Sequence, residues 1–330
     1  MIITRTPLRI SFFGGGTDIP AWYIEHGGMV LSTTIDKYQY ITCRRLMPYW
    51  DYKHQFFYGS AYEMVSELAE IRHPSIRETL RYFDIDYGLD MHYNTDIPAR
   101  SGMGSSSAFT VGLVNALHGM KGKMPNKRKL AMDAIHIEQD LIQETVGSQD
   151  QIAAAFGGLN HIEFKQGGGF FVHPVTISKK RKEELECHLV LIFSGFSRFA
   201  SEVEKKKIAN LSQKESVLHE MQGMVQEALD ILTGDGDLSE FGKMLDHTWR
   251  LKRSLSDGVS TSAIDELYER GVKAGAIGGK LLGAGGGGFF LFFCEPDKQA
   301  QLLESLKGYL HIPFHFEENG SQVIYYREEA

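Results

Sequence analysis

Cysteine is scarce in this sequence, and the few positions it occupies exclude several classes of protein. The 330 residues contain three cysteines, Cys43, Cys187 and Cys294, which are odd in number and far apart. No two of them have the short spacing of a metal-binding motif, and they cannot form the framework of a disulfide-rich domain. This usage is typical of the reducing cytosol, so we expect a cytoplasmic location.

The sequence also lacks a long hydrophobic run and an excess of positive charge. The longest apolar run, Gly288–Cys294, is far too short to span a bilayer. Met1–Phe13 alternates charged and apolar residues and does not form the core of a signal peptide. The net charge of −7 disfavours nucleic acid or an anionic membrane as the main partner. We therefore expect neither nucleic acid nor a membrane as partner.

The overall composition is typical of a globular protein, and the chain is longer than one typical domain. Hydrophobic residues make up 42% and charged residues 23% of the chain, which is enough to bury a sizeable core. A length of 330 residues favours two domains. The charge run Lys179–Glu186 marks the expected boundary, so we predict domains at residues 1–178 and 179–330.

Hydrophobic periodicity predicts strands and helices in both halves of the chain. A buried strand is expected at Thr6–Phe13, and two paired strands at Met29–Ile35 and Tyr38–Leu46. Further predictions are two short helices within Ala61–Phe83, a helix over Asn126–Thr145, strands at Leu159–Phe164, Phe170–Val172, Val175–Ile177, Leu189–Phe193 and Phe289–Cys294, and a helical pattern over Ser201–Leu255.

The stretch Ile97–Gly112 has the composition of a phosphate-binding loop followed by a helix. Gly102 and Gly104 allow the backbone to approach a ligand closely. The serines at 105–107 stand where the helix would begin, and there free N–H groups and the helix dipole suit a phosphate. The alternative from the loop alone is an ordinary serine-capped turn before a core helix.

Two further glycine-rich loops flank predicted strands. The first, Gly14–Asp18, follows a strand, and Asp18 either accepts hydrogen bonds from sugar hydroxyls or caps the helix begun by Pro20. The second, Leu282–Gly288, contains a GxGxxG pattern, but a strand follows it where a dinucleotide-binding motif requires a helix. Lys280 precedes Leu281 rather than Ser or Thr, which excludes a Walker lysine.

Two isolated carboxylates complete the set of candidate residues. Glu138 lies in the middle of a predicted helix, and Asp150 stands among small residues at the start of another. A solvated helix face for Glu138 and a helix cap for Asp150 are the structural alternatives. Phosphoryl transfer needs a phosphate cradle, a Mg²⁺ held by hydroxyl and carboxylate oxygens, and a group that handles the acceptor proton.

These motifs, taken together, resemble the GHMP kinases, the family of galactokinase, homoserine kinase and the mevalonate kinases. Pro7–Ile10 with Gly14–Asp18 resembles the family's first motif, Pro98–Ala108 its second, and Leu282–Gly288 its third, in the same order. The resemblance covers nearly the whole chain. It implies an α+β fold of two domains, ribosomal-S5-like at the N-terminus and ferredoxin-like at the C-terminus, with ATP between them.

The resemblance also implies a role for each matching position. Asp150 and Arg9 would be catalytic, and Ser106 and Glu138 would hold Mg²⁺. The residues expected to bind the nucleotide are Arg100, Ser101, Gly102, Met103, Gly104, Ser105, Ser106 and Ser107. The residues expected to bind the acceptor are Gly15, Gly16, Thr17, Asp18, Gly285 and Gly286.

Departures from the family pattern reduce the range of expected substrates. Galactokinases carry an acidic residue and a histidine where this chain has Gly15 and Gly16, so their sugar contacts are missing here. The segments Gly14–Ile19 and Trp249–Val259 are most similar to D-glycero-D-manno-heptose 7-phosphate kinases, which implies phosphorylation of the anomeric hydroxyl of a sugar phosphate. A fucokinase-type kinase of free sugars and a non-catalytic ligand-binding protein are the alternatives, and a homodimer stays open.

A phosphorylated acceptor would need cations near its phosphate. The candidates are Lys252, within the segment that resembles the heptose kinases, then Arg198, and then Arg44 or Arg45. Because any one of these cations could instead belong to a solvated face, the prediction is that at least one of them contacts the phosphate.

Overall fold

A computed structural model describes residues 1–99, 101–195 and 214–328 of the chain. The strands are β1 (Ile2–Phe13), β2 (Gly28–Arg45), β3 (His54–Tyr58), β4 (Ala61–Val65), β5 (Leu89–Thr95), β6 (Asn160–Phe164), β7 (Phe170–Pro174), β8 (Leu189–Phe193), β9 (Gly278–Leu281), β10 (Phe289–Phe293), β11 (Leu310–His311), β12 (Phe316–Glu317) and β13 (Gln322–Tyr326). The helices are α1 (Pro20–His26), α2 (Pro74–Tyr82), α3 (Ser105–Met120), α4 (Lys127–Ile135), α5 (Gln149–Phe156), α6 (Lys179–Cys187), α7 (Glu215–Thr233), α8 (Ser239–Ser254), α9 (Ser262–Lys273) and α10 (Gln299–Ser305). The mixed α+β class is confirmed.

The larger sheet is built on β1 and β2. Its strand order is β13-β1-β2-β5-β3-β4, and β12 and β6 also pair with β2, while β7 extends β6. All its described pairings are antiparallel except β3 with β5. Helix α3 packs against β1 and β2, and it is buried on almost every side, as expected of a helix with apolar residues all round.

The long strand β2 corrects the prediction of two paired strands around residues 36 and 37. Both halves of β2 pair with β1: Ile35 lies opposite Leu8, and Tyr38 lies opposite Pro7. The two residues between them form an irregularity in one continuous strand. Both predicted segments are strand, but each pairs with β1 rather than with the other segment.

The smaller sheet has the order β11-β8-β10-β9 and is antiparallel throughout. Every residue of β10 is buried, and helix α8 packs against β9. The two sheets share part of one core, because the ring of Phe241 on α8 meets Phe12 and Phe13 at centroid distances of 5.4 and 5.0 Å. The two halves of the chain therefore meet at the end of β1, where the first glycine loop begins.

Other predicted elements need correction. The first predicted helix within Ala61–Phe83 is instead β4 and a short 3₁₀ turn, because residues 61–65 pair with β3 as an edge hairpin. In place of the single helix predicted over Asn126–Thr145, α4 ends at Ile135 and a π-helix at His136–Leu141 follows it directly. No strand forms at Val175–Ile177.

The domain division near residue 178 stays a prediction. Strands β12 and β13, from the end of the chain, return to the larger sheet and pair with β2 and β1. A cut of the sequence at that point would therefore not separate the two sheets. Among the described residues, no helix has the length and apolarity needed to cross a membrane.

Two helix glycines give a matched test of the shared core. A Cβ at Gly242 in α8 would lie 2.6 Å from the ring of Phe293, whereas one at Gly223 in α7 meets nothing within 4 Å. Gly242→Ala should lower the free energy of unfolding by about 1–3 kcal/mol through overpacking. Gly223→Ala should raise it by about 0.5–1 kcal/mol through helix propensity. Urea unfolding of both variants checks the signs, and equal effects would contradict the packing described.

Candidate active site

The structure brings the two predicted catalytic residues, Arg9 and Asp150, into a bidentate ion pair. Arg9 Nε lies 2.7 Å from Asp150 Oδ1, and Arg9 Nη2 lies 2.9 Å from Asp150 Oδ2. The Arg9 side chain is 5% exposed and the Asp150 side chain 24%. The guanidinium is thus fixed inside the protein, while one side of the carboxylate remains accessible from outside.

The loop before α3 covers this ion pair. Arg9 Nη1 donates to the carbonyl of Gly102 at 2.9 Å, and the Arg9 N–H donates to the carbonyl of Met103 at 3.2 Å. Gly104 has a φ of 70°, and a Cβ there would lie 3.3 Å from the Asp150 carboxylate. Only glycine combines this backbone conformation with so close an approach.

Helix α3 begins directly after that glycine, at Ser105. Its N-cap is Gly104, which has no side chain and makes no capping hydrogen bond. The alternative of a serine-capped turn is therefore wrong, since the serines occupy the first turn of the helix. A helix start without a capping side chain leaves the site that an anion occupies in phosphate-binding loops.

In chain order the glycine-rich loops are the first at 14–18, the second at 101–104 and the third at 282–288. The second and third touch each other through their backbones. A Cβ at Gly102 would lie 2.5 Å from the carbonyl oxygen of Leu282, and one at Gly283 would lie 2.4 Å from Gly102 Cα. Phe289 N donates to the carbonyl of Ser101 at 3.1 Å. A side chain at Gly102 or Gly283 would push the loops apart, so the glycines are needed for this contact.

Lys252 lies beneath the third loop and does not point outwards. It is 6% exposed, and its Nζ donates to the carbonyl oxygens of Leu281 and Gly283 at 2.6 and 2.5 Å. These partners support a role in holding the loop and do not favour the expected contact with a substrate phosphate. Lys280, also buried, donates to the carbonyl of Phe12 at 2.7 Å and so links β9 to β1.

Glu138 is fully buried in the π-helix, close to the start of α3. Its Oε2 accepts hydrogen bonds from Ser107 Oγ at 2.8 Å and Gln151 Nε2 at 2.5 Å. Burial raises the pKa of this carboxyl to about 7, and the Glu144 carboxylate adds to the shift, whereas hydrogen bonding by Thr110, Ser107 and Gln151 lowers it. The solvated-face alternative for Glu138 is wrong.

The predicted Mg²⁺ residues carry oxygen donors that suit a cation, although the structure links Glu138 to Ser107 rather than to Ser106. Glu138 Oε1 makes no hydrogen bond of ordinary geometry to a described residue, and Ser106 is exposed on the first turn of α3. A hydroxyl and one carboxylate are oxygen ligands of the kind that Mg²⁺ takes beside substrate phosphates. Within residues 1–99, 101–195 and 214–328, no cluster of three His, Cys, Asp or Glu could hold a metal alone.

The first glycine loop is held by its own side chains. Asp18 Oδ1 accepts from Gly16 N at 2.8 Å, and Oδ2 accepts from Gln149 N at 3.4 Å. Thr17 Oγ1 donates to the carbonyls of Gly14 and Met29. Asp18 is not the cap of α1, whose N-cap is Ile19 without a side-chain hydrogen bond. Both side chains therefore shape the loop that the sequence predicted to bind the acceptor.

The remaining predicted residues are less closely tied to the ion pair. Gly286 N donates to the carbonyl of Val259, against which Gly285 also packs. Arg44 pairs with Asp90, and Arg45 stacks on Tyr87, at the far end of β2. Arg100 and Arg198 lie outside the described residues.

Sequence reasoning missed Gln151 and the part played by Ser107. Both are buried polar residues that hold Glu138. The available signal was a glutamine inside the alanine-rich start of α5, where a side chain facing the core was expected to be apolar.

The chain is similar to known proteins of one family along most of its length. The family model of the GHMP kinases N terminal domain matches residues 67–158, and that of the GHMP kinases C terminal matches residues 208–311. A D-glycero-alpha-D-manno-heptose 7-phosphate kinase of Campylobacter jejuni is 30% identical over 320 residues, which is 93% of each chain. The chain belongs to the GHMP kinase family.

Further relatives of this GHMP kinase agree with the assignment. An L-fucokinase/L-fucose-1-P guanylyltransferase of Bacteroides fragilis is 25% identical over 90% of this chain but only 35% of its own length. The crystal structure of a D-glycero-D-manno-heptose 1-phosphate kinase from Bacteroides thetaiotaomicron superposes with a TM-score of 0.82 at 23% identity, covering 99% of this chain and 100% of that one. The protein is a sugar kinase of the GHMP family, similar to the heptose phosphate kinases.

The position of Lys252 predicts a loss of loop order when its ammonium is removed. Lys252→Met removes the ammonium donor from one buried and one partly buried carbonyl, so it should lower the free energy of unfolding by about 1–3 kcal/mol. It should also raise the KM for the nucleotide, because the loop it holds packs on the phosphate loop. Urea unfolding and steady-state kinetics measure the two effects.

The control is Lys273→Met, which removes an ammonium from an exposed side chain on α9 and should change neither quantity. If Lys252→Met left stability intact and lost only the preference for phosphorylated sugars, Lys252 would contact the substrate as the sequence predicted.

Proposed function

We propose that this kinase transfers the terminal phosphoryl group of ATP to the anomeric hydroxyl of a sugar phosphate. The proposed acceptor is D-glycero-D-manno-heptose 7-phosphate, and the product is the 1,7-bisphosphate. The observation that carries the proposal is the Arg9–Asp150 ion pair directly under the loop at 101–104. The likeness to the Campylobacter heptose 7-phosphate kinase along 93% of both chains supports the choice of sugar.

In this proposal, Asp150 positions the acceptor hydroxyl. The ion pair fixes the orientation of the carboxylate but leaves lone pairs that can accept a further hydrogen bond. The hydroxyl oxygen bonds to the terminal phosphorus as the bond to the bridging oxygen of ADP breaks, and the hydroxyl proton passes to an Asp150 oxygen. The Arg9 guanidinium, held by the same carboxylate, offsets negative charge at that point.

The nucleotide phosphates would lie against the start of α3. The loop at 101–104 and the first turn of the helix present N–H groups without a capping side chain. Ser106 and Glu138 would hold Mg²⁺, which neutralises phosphate charge when it is bound. Gln151 and Ser107 keep the Glu138 carboxylate in place for this role.

The choice of acceptor is tested by a panel of sugars. D-glycero-D-manno-heptose 7-phosphate, the free heptose and L-fucose are each incubated with ATP and Mg²⁺, and phosphorus NMR identifies the position phosphorylated. The highest kcat/KM should belong to the heptose 7-phosphate, with a new signal from an anomeric phosphate. A preference for fucose would favour the fucokinase-type alternative, and no transfer to any sugar would favour a non-catalytic protein.

Asp150→Asn should lower kcat by about 10²–10⁴-fold, because the amide cannot take the hydroxyl proton. Nucleotide affinity, measured by calorimetry with ADP, should change little. Asp140→Asn is the matched control, since that carboxylate is exposed and pairs only with His136 among the described residues. If Asp150→Asn turned over at the wild-type rate, Asp150 would be only a structural partner of Arg9. Urea unfolding of both variants shows whether a lower kcat comes from a loss of folded protein.

A further inference from the structure

Two side chains next to the first glycine loop each have a buried polar atom without a hydrogen-bond partner among the described residues. Ser11 is 6% exposed and Gln149 is 8% exposed. Neither Ser11 Oγ nor Gln149 Oε1 makes a hydrogen bond within the described part of the chain. Because buried polar groups nearly always have a partner, such a pair indicates that a water or a ligand completes it.

Both side chains face one small space above Gly15. A Cβ at Gly15 would lie 3.6 Å from Ser11 Oγ and 3.7 Å from Gln149 Nε2, with no third contact within 4 Å. Gly15 itself is partly exposed, so this space adjoins the surface of the loop. A methyl-sized group at that point would therefore contact both the hydroxyl and the carboxamide without overlapping either.

This space lies beside the catalytic ion pair. Arg9 and Ser11 are alternate residues of β1, so they lie on the same face of the strand, about 7 Å apart. Gln149 directly precedes Asp150 in the first turn of α5. A molecule whose reacting hydroxyl contacts Asp150 would reach the space with a group on the other side of a sugar ring.

We propose that Ser11 and Gln149 form a subsite for a second, non-reacting hydroxyl of the sugar. The proposal rests on the proposed function, because it takes a sugar as the acceptor. A serine hydroxyl and a carboxamide each donate and accept, which suits a neutral hydroxyl that does the same. The nearby Asp18 carboxylate, which accepts from Gln149 N, disfavours the substrate phosphate at this place.

A double-mutant cycle between protein and substrate tests the subsite. The wild type is assayed on the preferred sugar and on analogues in which each non-reacting hydroxyl is replaced by hydrogen. For one analogue, kcat/KM should fall by about 2–13-fold. On the complete sugar, Ser11→Ala and Gln149→Met should each lower kcat/KM by a similar factor. On that analogue the same substitutions should lower kcat/KM little further, because the hydrogen bonds that they remove are already absent.

Two further variants separate recognition from folding. Gly15→Ala keeps both polar groups but fills the space, so it should raise the KM for the sugar and leave the melting temperature nearly unchanged. Ser148→Ala removes a hydroxyl that lies beside Gln149 and contacts Tyr23 and Gln139. It should not alter the preference among analogues.

The possible failures are distinguishable. If the wild type phosphorylates a sugar but the variants and analogues act additively, the subsite is overturned and the proposed function stands. If Gly15→Ala leaves the KM unchanged, the space does not receive substrate. If the wild type phosphorylates no sugar, both proposals fail.

Discussion

A single buried guanidinium, that of Arg9, joins the parts of the active site. It holds the Asp150 carboxylate at the start of α5, the Gly102 carbonyl in the phosphate loop, and its own strand in the sheet. Removing the partner of a buried cation commonly lowers the free energy of unfolding by about 3–5 kcal/mol. The arrangement proposed for catalysis and the packing of β1 against α5 are therefore maintained by the same interaction, so either partner can be replaced only at a cost to both.

Backbone contact between glycine loops sets the second constraint. The loops at 101–104 and 282–288 approach so closely that neither tolerates a Cβ at Gly102 or Gly283. Lys252 supports this contact from below, since its ammonium satisfies two carbonyls of the third loop. The loop at 101–104 is thus supported on one side by Arg9 and on the other by a loop from the second half of the chain, so the shape of the proposed nucleotide site depends on how the halves meet.

The sequence predicted the motifs of the site but not the direction of each side chain. Arg9 and Asp150 could be named because their motifs are specific, and the structure places them in contact. The inward direction of Lys252 was not predictable, because a lysine beside a glycine loop can turn outwards to a ligand or inwards to carbonyls, and local sequence does not distinguish them. Likewise, the single strand β2 was divided because its register depends on β1, which is remote in sequence.

The pairing of β1 with β13 has a consequence for how the chain folds. Ile2 lies opposite Tyr326, and the N-terminal ammonium donates to the carbonyl of Arg327. During synthesis the first strand emerges long before its last neighbour, so one edge of β1 stays unpaired for most of that time. Such an edge can pair with another chain, and closing so large a loop is slow. The larger sheet is therefore completed only when nearly all of the described chain has left the ribosome.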